Sequence, residues 1–257
     1  MVNKELIRKR FSKSMETYEL QADVQQHIAR ELAQKAIHYL PSCCDNLLEV
    51  GCGTGFLTRE VHSRISINNY YLNDLVDLSG STAQIIGGNN TDVRFIAGDA
   101  ETINFPEQLD GVLSASTLQW LVDFPAFCTK VSDTLLSEGV FAFNTFGPNN
   151  MIEIKELMGV GLHYQDAIDL EEILKSSFEI LETHEETLIR DFDSPRDVLR
   201  HLQATGVTAT HGNYRWTKRN LFDFEKEYYE RFRKGSKVTL TWHIYYFVCK
   251  KKTASKL

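Results

Sequence analysis

A glycine-rich segment follows an apolar run in the first quarter of the sequence. Residues 47–55 read LLEVGCGTG, and the stretch after them has the pattern of a helix. Glycines let the backbone turn tightly and let a ligand come close to it. A dinucleotide site has a third glycine where Phe56 stands here, so the spacing disfavours NAD. The sequence therefore predicts a ligand-binding loop, whose predicted contact residues are Glu49, Gly51, Cys52, Gly53 and Gly55.

Two further acids follow the next two predicted strands. Asp74 ends the strand predicted over residues 69–73. Asp99 follows the strand predicted over residues 93–97. A carboxylate at Asp74 can accept hydrogen bonds from both hydroxyls of a ribose, with Asp77 as a rival, and Asp99 can accept one from an adenine amino group. Three carboxylates at successive strand ends, with no phosphate-binding fingerprint, suit a cationic adenosine compound that lacks phosphate.

Strands alternate with helical stretches around this loop. Such alternation predicts parallel pairing with right-handed crossovers, and hence an open α/β sheet. In the last third, two long segments have period-2 character and predict an antiparallel pair at the edge of the sheet. The predicted strands cover residues 47–50, 69–73, 93–97, 111–115, 140–145, 179–189 and 238–250.

A short helix is predicted between the last two strands, near residues 195–205. Ser194 is a suitable N-cap, Pro195 fits the first turn, and Asp197 stands at the third helical position. Gly206 can end the helix. This punctuation predicts a small helical lid inserted into the antiparallel part of the sheet.

The N-terminal segment has a different pattern. Apolar residues at helical spacing over residues 24–36 predict one helix, preceded by a polar and partly basic arm. We therefore expect an N-terminal arm and helix over residues 1–40. The rest, residues 41–257, is expected to form one domain with the helical insertion at about residues 191–220.

Composition and charge narrow the class of protein. The chain has 257 residues, of which 42% are hydrophobic and 25% charged, as in folded globular proteins. It contains neither a run of about 18 apolar residues nor an apolar signal region, so we expect no membrane span and a cytoplasmic location. The five cysteines include no C-x-x-C pair, so we expect reduced thiols and no metal site.

The net charge of −7 argues against general binding of nucleic acid. The charge is unevenly distributed, because residues 190–237 contain eleven Lys or Arg side chains against seven acids. This locally basic stretch favours an acidic macromolecular partner.

These motifs resemble the class I S-adenosylmethionine-dependent methyltransferases over about residues 45–147. Residues 10–14 (RFSKS) with Tyr18, residues 114–120 (SASTLQW) and residues 199–207 (LRHLQATGV) are similar to the malonyl-acyl carrier protein O-methyltransferases of biotin synthesis. The resemblance implies a Rossmann-like α/β fold. The expected sheet has seven mostly parallel strands with an antiparallel last strand, helices on both faces and a small helical lid.

The same resemblance implies the chemistry. S-adenosylmethionine would be the cofactor, S-adenosylhomocysteine its product, and the free carboxylate of a malonyl group on acyl carrier protein the acceptor. The carboxylate is ionised near neutral pH, so no general base is needed and positioning dominates catalysis. Two alternatives stay open: a methyltransferase for another small carboxylic acid or metabolite, and a non-catalytic S-adenosylmethionine-binding protein.

Further site residues are expected outside the loop, and Gln119 and Trp120 among them follow from the same resemblance. Tyr18 is expected to close over the sulfonium, while Gln119 and Trp120 face the methyl group. His201 borders the apolar face of the lid helix, whereas Arg200 points away from that face. Arg215 is one candidate cation for the substrate carboxylate. The further cofactor contacts expected are Asp74, Leu75, Asp99, Ala100 and Ser114.

Overall fold

The computed structural model describes residues 3–78, 91–159, 161–205 and 216–253, and for residues 13–21 the backbone alone. The chain forms two compact units. We call one the glycine-loop unit; it comprises Asp23–Thr145, Ala167–His184 and Tyr245–Leu257. We call the other the helical unit; it comprises Met1–Ala22, Phe146–Asp166 and Glu185–Ile244.

Helices and strands alternate through the first part of the chain and give way to long strands in the last third. The helices are α1 (Lys4–Gln21), α2 (Asp23–Ile37), α3 (Phe56–His62), α4 (Phe124–Thr134), α5 (Ile152–Met158), α6 (Ala167–Leu174), α7 (Pro195–Ala204) and α8 (Lys218–Phe232), with a 3₁₀ turn at Leu118–Trp120. The strands are β1 (Cys43–Val50), β2 (Ser66–Asp74), β3 (Asp92–Ala97), β4 (Leu109–Ser114), β5 (Leu135–Phe146), β6 (Phe178–Phe192), β7 (Arg233–Lys234) and β8 (Lys237–Lys251).

The strands join in one mixed sheet with the order β3-β2-β1-β4-β5-β8-β6, and β7 pairs with β8. The pairs β2/β3, β1/β2, β1/β4 and β4/β5 are parallel. β8, the C-terminal strand, is antiparallel to β7. The predicted α/β fold class is confirmed, and the two-residue β7 is an addition to the seven predicted strands.

The strand order reverses at β1, because β2 and β3 lie on one side of it and β4 on the other. Ligands of open α/β sheets bind at such a switch point, beyond the carboxyl ends of the strands. The C-terminal half of β1 is largely apolar. Its residues Leu47, Leu48 and Val50 are fully buried, as expected for a central parallel strand covered on both faces. β1 thus delivers the glycine-rich segment to the edge where a ligand is expected.

The N-terminal region differs from its prediction. The polar arm is a helix, α1, which Asn3 caps by accepting a hydrogen bond from the Leu6 backbone N–H at 3.0 Å. Its Lys, Glu and Arg residues are good helix formers. The prediction of a polar arm also missed an apolar stripe at helical spacing, formed by Ile7, Phe11, Met15 and Tyr18. The predicted helix is α2, with Ile28 and Leu32 fully buried. The division of the chain at residue 40 stays a prediction.

The predicted insertion, at about residues 191–220, contains the helix α7 in its described part, and α8 begins at its C-terminal end. α7 matches the predicted lid helix, and Ser194 Oγ accepts a hydrogen bond from the Asp197 backbone N–H as predicted. Gly206 lies outside the described residues. The helix α8 was not predicted. Its capping box pairs Thr217 with Asn220, whereas Glu or Gln is more usual at the third helical position. Within the helical unit, α7 packs against both α1 and α8.

In the described part of the chain, no helix is both long enough and apolar enough to cross a membrane.

Candidate active site

The glycine-rich segment forms a tight loop after β1. Gly51, Gly53 and Gly55 all have positive φ angles, of 74°, 51° and 85°. The backbone N–H groups of Gly51 and Cys52 both donate to the Asn73 carbonyl, at 2.8 and 2.9 Å. These two hydrogen bonds attach the loop to the end of β2. Burial raises the pKa of the Cys52 thiol well above its usual value, so this thiol stays protonated.

Two glycines of the loop have different roles. A Cβ atom at Gly51 would overlap the Thr117 side chain, which follows β4. A Cβ atom at Gly53 would meet no atom within 4 Å. Gly51 therefore lets the chain pack on itself, whereas Gly53 borders open space that a ligand can enter.

Asp74 is joined to this loop. Its Oδ2 accepts a hydrogen bond from the Gly53 N–H at 2.9 Å, and its Oδ1 accepts one from the Val76 N–H at 2.9 Å. Burial raises the pKa of the Asp74 carboxyl, and these amides partly oppose that rise. Leu75 follows, half-buried. The predicted placement of an acid beside the glycine loop is thus observed, with both carboxylate oxygens held by backbone amides.

Asn73 connects the next strand end to the same place. Its Nδ2 donates to the Ile96 carbonyl at 2.8 Å and to the Gly98 carbonyl at 3.0 Å. Asp99 lies directly after Gly98, and its Oδ1 accepts a hydrogen bond from the Glu101 N–H at 3.1 Å. Asn73 was not predicted as a site residue; its polar side chain at the end of a predicted strand, next to Asp74, was a usable signal.

Glu49 lies deeper than predicted for a residue whose role is to contact a ligand. It is almost completely buried, and its Oε2 accepts hydrogen bonds from Thr58 Oγ1 and Tyr70 OH, each at 2.8 Å. Burial raises the pKa of Glu49 to about 7, although both hydrogen bonds lower it. Glu49 therefore supports the loop through β2 and α3, and its contact with the cofactor stays a prediction.

The pKa of Glu49 gives a testable pH dependence in the absence of ligand. Its usual value is 4.5, so between pH 4.5 and about 7 the folded protein keeps a proton that the unfolded chain releases. The stability due to that proton is complete below pH 4.5 and is lost as the pH rises to about 7. Glu49→Gln keeps an acceptor for Thr58 and Tyr70 but does not titrate.

We therefore expect Glu49→Gln to gain stability over the parent protein as the pH rises, by up to roughly 3 kcal/mol between about pH 5 and about pH 8. Urea unfolding at a series of pH values measures this difference. A difference between the two proteins that does not change with pH would contradict the account of Glu49.

The segment after β4 closes the other side of the loop. Ser114 Oγ donates to the Val50 carbonyl at 2.8 Å and so ties β4 to β1. Thr117 Oγ1 donates to the Ala115 carbonyl at 3.0 Å and, more weakly, to the Gly51 carbonyl at 3.4 Å. Gln119 and the buried Trp120 follow in the 3₁₀ turn. Gln119 and Trp120 thus follow shortly after a residue that contacts the glycine loop. Their places at the methyl group, like the cofactor contact of Ser114, stay predictions.

Tyr18, His201 and Arg215 are the site residues predicted in other parts of the chain. His201 is buried in α7, with its ring 5.2 Å from that of Phe192 and 5.6 Å from that of Trp242. These contacts favour a packing role inside the helical unit. Arg200 is exposed and forms an ion pair with Asp197, as its position opposite the apolar face predicted. The side chain of Tyr18, and Arg215 as a whole, lie outside the described residues.

Ala100, another predicted cofactor contact, is buried. Lys130 Nζ donates to its carbonyl at 2.7 Å and lies 4.2 Å from the centre of the Phe105 ring. Glu101, next in the chain, accepts hydrogen bonds from the Val122 and Asp123 N–H groups. These bonds hold the Asp99 loop next to the segment after Trp120. Among the described residues, no group of three or more His, Cys, Asp or Glu is placed to hold a metal ion.

The fold and loop define a methyltransferase domain. A family model described as "Methyltransferase domain" matches residues 48–143. A putative methyltransferase from Bacillus halodurans has a similar structure, with a TM-score of 0.64 at 18% identity over 88% of this chain and 99% of that one. An N-methyltransferase, NodS from Bradyrhizobium japonicum, solved with S-adenosyl-L-homocysteine, has a TM-score of 0.52 at 13% identity over 87% of both chains.

Relatives similar over nearly the whole chain are more specific. A Bacteroides thetaiotaomicron protein is 37% identical over 98% of this chain and 99% of its own length, and one from Haemophilus influenzae is 36% identical over 97% and 95%. Both are named malonyl-[acyl-carrier protein] O-methyltransferase. The chain belongs to the malonyl-[acyl-carrier protein] O-methyltransferase family.

Proposed function

We propose that this protein transfers the methyl group of S-adenosylmethionine to the free carboxylate of a malonyl group carried by acyl carrier protein, an early step of biotin synthesis. The observation that carries the cofactor part of the proposal is the hydrogen bond from the Gly53 N–H to Asp74 at 2.9 Å. It sets Asp74, the acid that we propose for the ribose, beside the open face of a glycine loop, at the switch point of the sheet. The names of the relatives support the acceptor.

The residues present fit this cofactor. Asp74 and Asp99 stand at neighbouring strand ends, where they can accept hydrogen bonds from ribose hydroxyls and from the adenine amino group. Thr54 Oγ1, next to Gly53, is buried without a hydrogen-bond partner among the described residues, as expected of an atom that binds a ligand. When bound, S-adenosylmethionine supplies a methyl group activated by a positively charged sulfur.

The protein's part in the reaction is alignment. An ionised malonyl carboxylate is already a competent nucleophile, so the site must hold one of its oxygens in line with the methyl carbon and the sulfur. Excluding water strengthens this arrangement. Gln119 and Trp120 at the methyl group, and Tyr18, His201 and Arg215 around the cofactor and substrate, stay part of the proposal.

The basic stretch of the helical unit contains two cations suited to an acidic carrier protein. Lys218 and Arg219, in the first turn of α8, are exposed and form no ion pair within the described part of the chain. Arg233 donates to the Gly235 carbonyl at 2.6 Å. Six other cations of the stretch are neutralised by acids of the same unit: Arg196, Arg200, Lys226, Arg231, Lys234 and Lys237. We therefore place the carrier-docking surface at the start of α8.

Reversing these charges tests the docking surface. Lys218→Glu with Arg219→Glu is expected to raise the KM for malonyl carrier protein several-fold, to leave the KM for malonyl-coenzyme A within twofold, and to weaken the salt dependence of the carrier reaction. Arg94→Glu with Lys175→Glu gives a control with the same change in net charge, at exposed sites in the glycine-loop unit. Equal losses on both substrates would contradict the surface.

The substrate itself is tested by a panel. The purified protein is expected to methylate malonyl carrier protein with a higher kcat/KM than malonyl-coenzyme A, and either of them far better than free dicarboxylic acids. Faster methylation of a free acid would replace the proposed function by the alternative, a methyltransferase for another small acid. Binding of S-adenosylhomocysteine with no methylation of any panel member would favour a non-catalytic binding protein.

A cytoplasmic location is part of the same proposal. All five cysteines lie in the described part of the chain, and all are free thiols, four of them buried. Free thiols are typical of proteins in reducing compartments.

A further inference from the structure

Three polar side chains meet beside the glycine loop, where β4 and β5 end. Ser116 follows β4, Gln119 is in the 3₁₀ turn, and Asn144 is near the end of β5. Ser116 has a φ of +52°, in the left-handed region that a residue with a Cβ atom rarely adopts. Strained backbone of this kind persists only where the surrounding structure enforces it, and it is concentrated at functional sites.

The Ser116 backbone orients both amides. Its N–H donates to Asn144 Oδ1 at 2.7 Å, and its carbonyl accepts a hydrogen bond from Gln119 Nε2 at 2.8 Å. Each bond decides which atom of the amide faces the backbone. The other atom of each amide, Nδ2 of Asn144 and Oε1 of Gln119, is therefore turned away from Ser116 with a defined donor or acceptor character.

These remaining atoms are buried and unsatisfied. Asn144 Nδ2, Ser116 Oγ and Gln119 Oε1 have no hydrogen-bond partner among the described residues, and the Asn144 side chain is completely buried. Buried polar atoms are nearly always hydrogen-bonded in folded proteins, and an exception calls for an explanation such as a ligand or an ordered water. Two hydrogen-bond donors, Asn144 Nδ2 and Ser116 Oγ, thus await an acceptor.

The cluster of Ser116, Gln119 and Asn144 lies on the side of the site where the methyl group is expected. Asp74 and Asp99, which suit the nucleoside, stand on β2 and β3, to one side of β1. The cluster stands at the ends of β4 and β5, to the other side, and Thr117 connects it to the loop by a bond to the Gly51 carbonyl. A cofactor whose nucleoside lies over β2 and β3 presents its opposite end towards β4.

We propose that Asn144 Nδ2 and Ser116 Oγ form a two-donor subsite for the carboxylate of the methyl acceptor, with Gln119 as the residue that positions Ser116. This inference rests on the proposed function, because it names where that substrate's carboxylate binds. The two donors bind the oxygen that does not attack, which leaves the other oxygen free to displace the sulfur. Methylation converts the carboxylate into a neutral ester, a weaker acceptor, so the same subsite favours release of the product.

The test uses Asn144→Asp. Aspartate has nearly the same shape and keeps an oxygen for the Ser116 N–H, but it replaces the Nδ2 donor by an acceptor oxygen. We expect its KM for malonyl carrier protein to rise at least tenfold, with the affinity for S-adenosylhomocysteine within twofold of the parent. Activity should recover as the pH falls and the introduced carboxyl group gains the proton that lets it donate. Asn149→Asp, the same substitution at an exposed position of the helical unit, should change neither value.

Ser116→Ala removes the second donor and should raise the same KM by a smaller factor. An unchanged KM in folded Asn144→Asp, with S-adenosylhomocysteine bound normally, would overturn the subsite and leave a buried water as the occupant. Calorimetric binding of malonyl carrier protein to the complex with S-adenosylhomocysteine gives a second readout that needs no turnover. A parent protein that binds no malonyl carrier protein and methylates none contradicts the proposed function and the subsite together. Normal parent activity with an unaffected variant contradicts the subsite alone.

Discussion

Gly51→Ala is expected to unfold or severely destabilise the protein, whereas Gly53→Ala leaves it folded. At Gly51 the new methyl group would overlap Thr117, an overpacking cost of about 1 to 3 kcal/mol. The left-handed backbone at this position, with φ of 74°, adds roughly 1 to 2 kcal/mol. Their sum is a large fraction of the stability of a typical domain, which is about 5 to 15 kcal/mol.

At Gly53 the backbone cost alone applies, because a Cβ atom there meets nothing within 4 Å. The methyl group instead occupies the open space that we assign to the cofactor, so the affinity for S-adenosylhomocysteine should fall at least tenfold. Urea unfolding and calorimetry on both variants separate the two effects. A stable Gly51→Ala, or a Gly53→Ala that binds S-adenosylhomocysteine as well as the parent, would contradict the roles assigned to the glycines.

Asp74→Ala is expected to lower the affinity for S-adenosylmethionine and S-adenosylhomocysteine by roughly ten- to a hundredfold or more. Hydrogen bonds to a charged acceptor contribute about 1.5 to 3 kcal/mol each. The variant also removes the acceptor of the hydrogen bond from the Gly53 N–H, so the loop loses a constraint at the point where the ligand approaches. Asp74→Asn keeps one acceptor oxygen and should show an intermediate affinity.

Asp77→Ala is the matched control for Asp74→Ala. Asp77 is an exposed acid three residues further along the chain, and its loss should leave binding unchanged. Calorimetry with S-adenosylhomocysteine measures all three variants. Unchanged affinity in a folded Asp74→Ala, together with a loss in Asp77→Ala, would move the ribose site to Asp77.

The sequence predicts the parts of this site that depend on where parallel strands end. The apolar strand before Gly51 and the acid after the next strand are local patterns. Parallel strands end at a common edge, so such patterns imply that Asp74 and Gly53 meet, as they do at 2.9 Å. Helical periodicity likewise predicts that Arg200 is exposed, as the structure shows.

Other parts depend on pairings that no local pattern specifies. The contact of Thr117 with Gly51, the hydrogen bonds of Thr58 and Tyr70 to Glu49, and the bond from the Ser116 N–H to Asn144 join residues on different elements. Each requires the register of neighbouring strands before it can be seen. The helix α8 could have been predicted, because Leu221, Phe224 and Tyr228 recur at helical spacing. Only the exposed Phe222 and Tyr229 blur its apolar face.

Intact-protein mass spectrometry of the carrier protein tests the central claim most directly. After incubation with this protein and S-adenosylmethionine, malonyl carrier protein should gain the mass of one CH2 group, because a methyl group replaces the carboxyl hydrogen. Acetyl carrier protein, which has no free carboxylate, should gain nothing, and Asp74→Ala at a low cofactor concentration should give little product. An unmodified malonyl carrier protein in the presence of an enzyme that binds S-adenosylhomocysteine, or an equal gain on acetyl carrier protein, would contradict carboxyl methylation of a carrier-bound malonyl group.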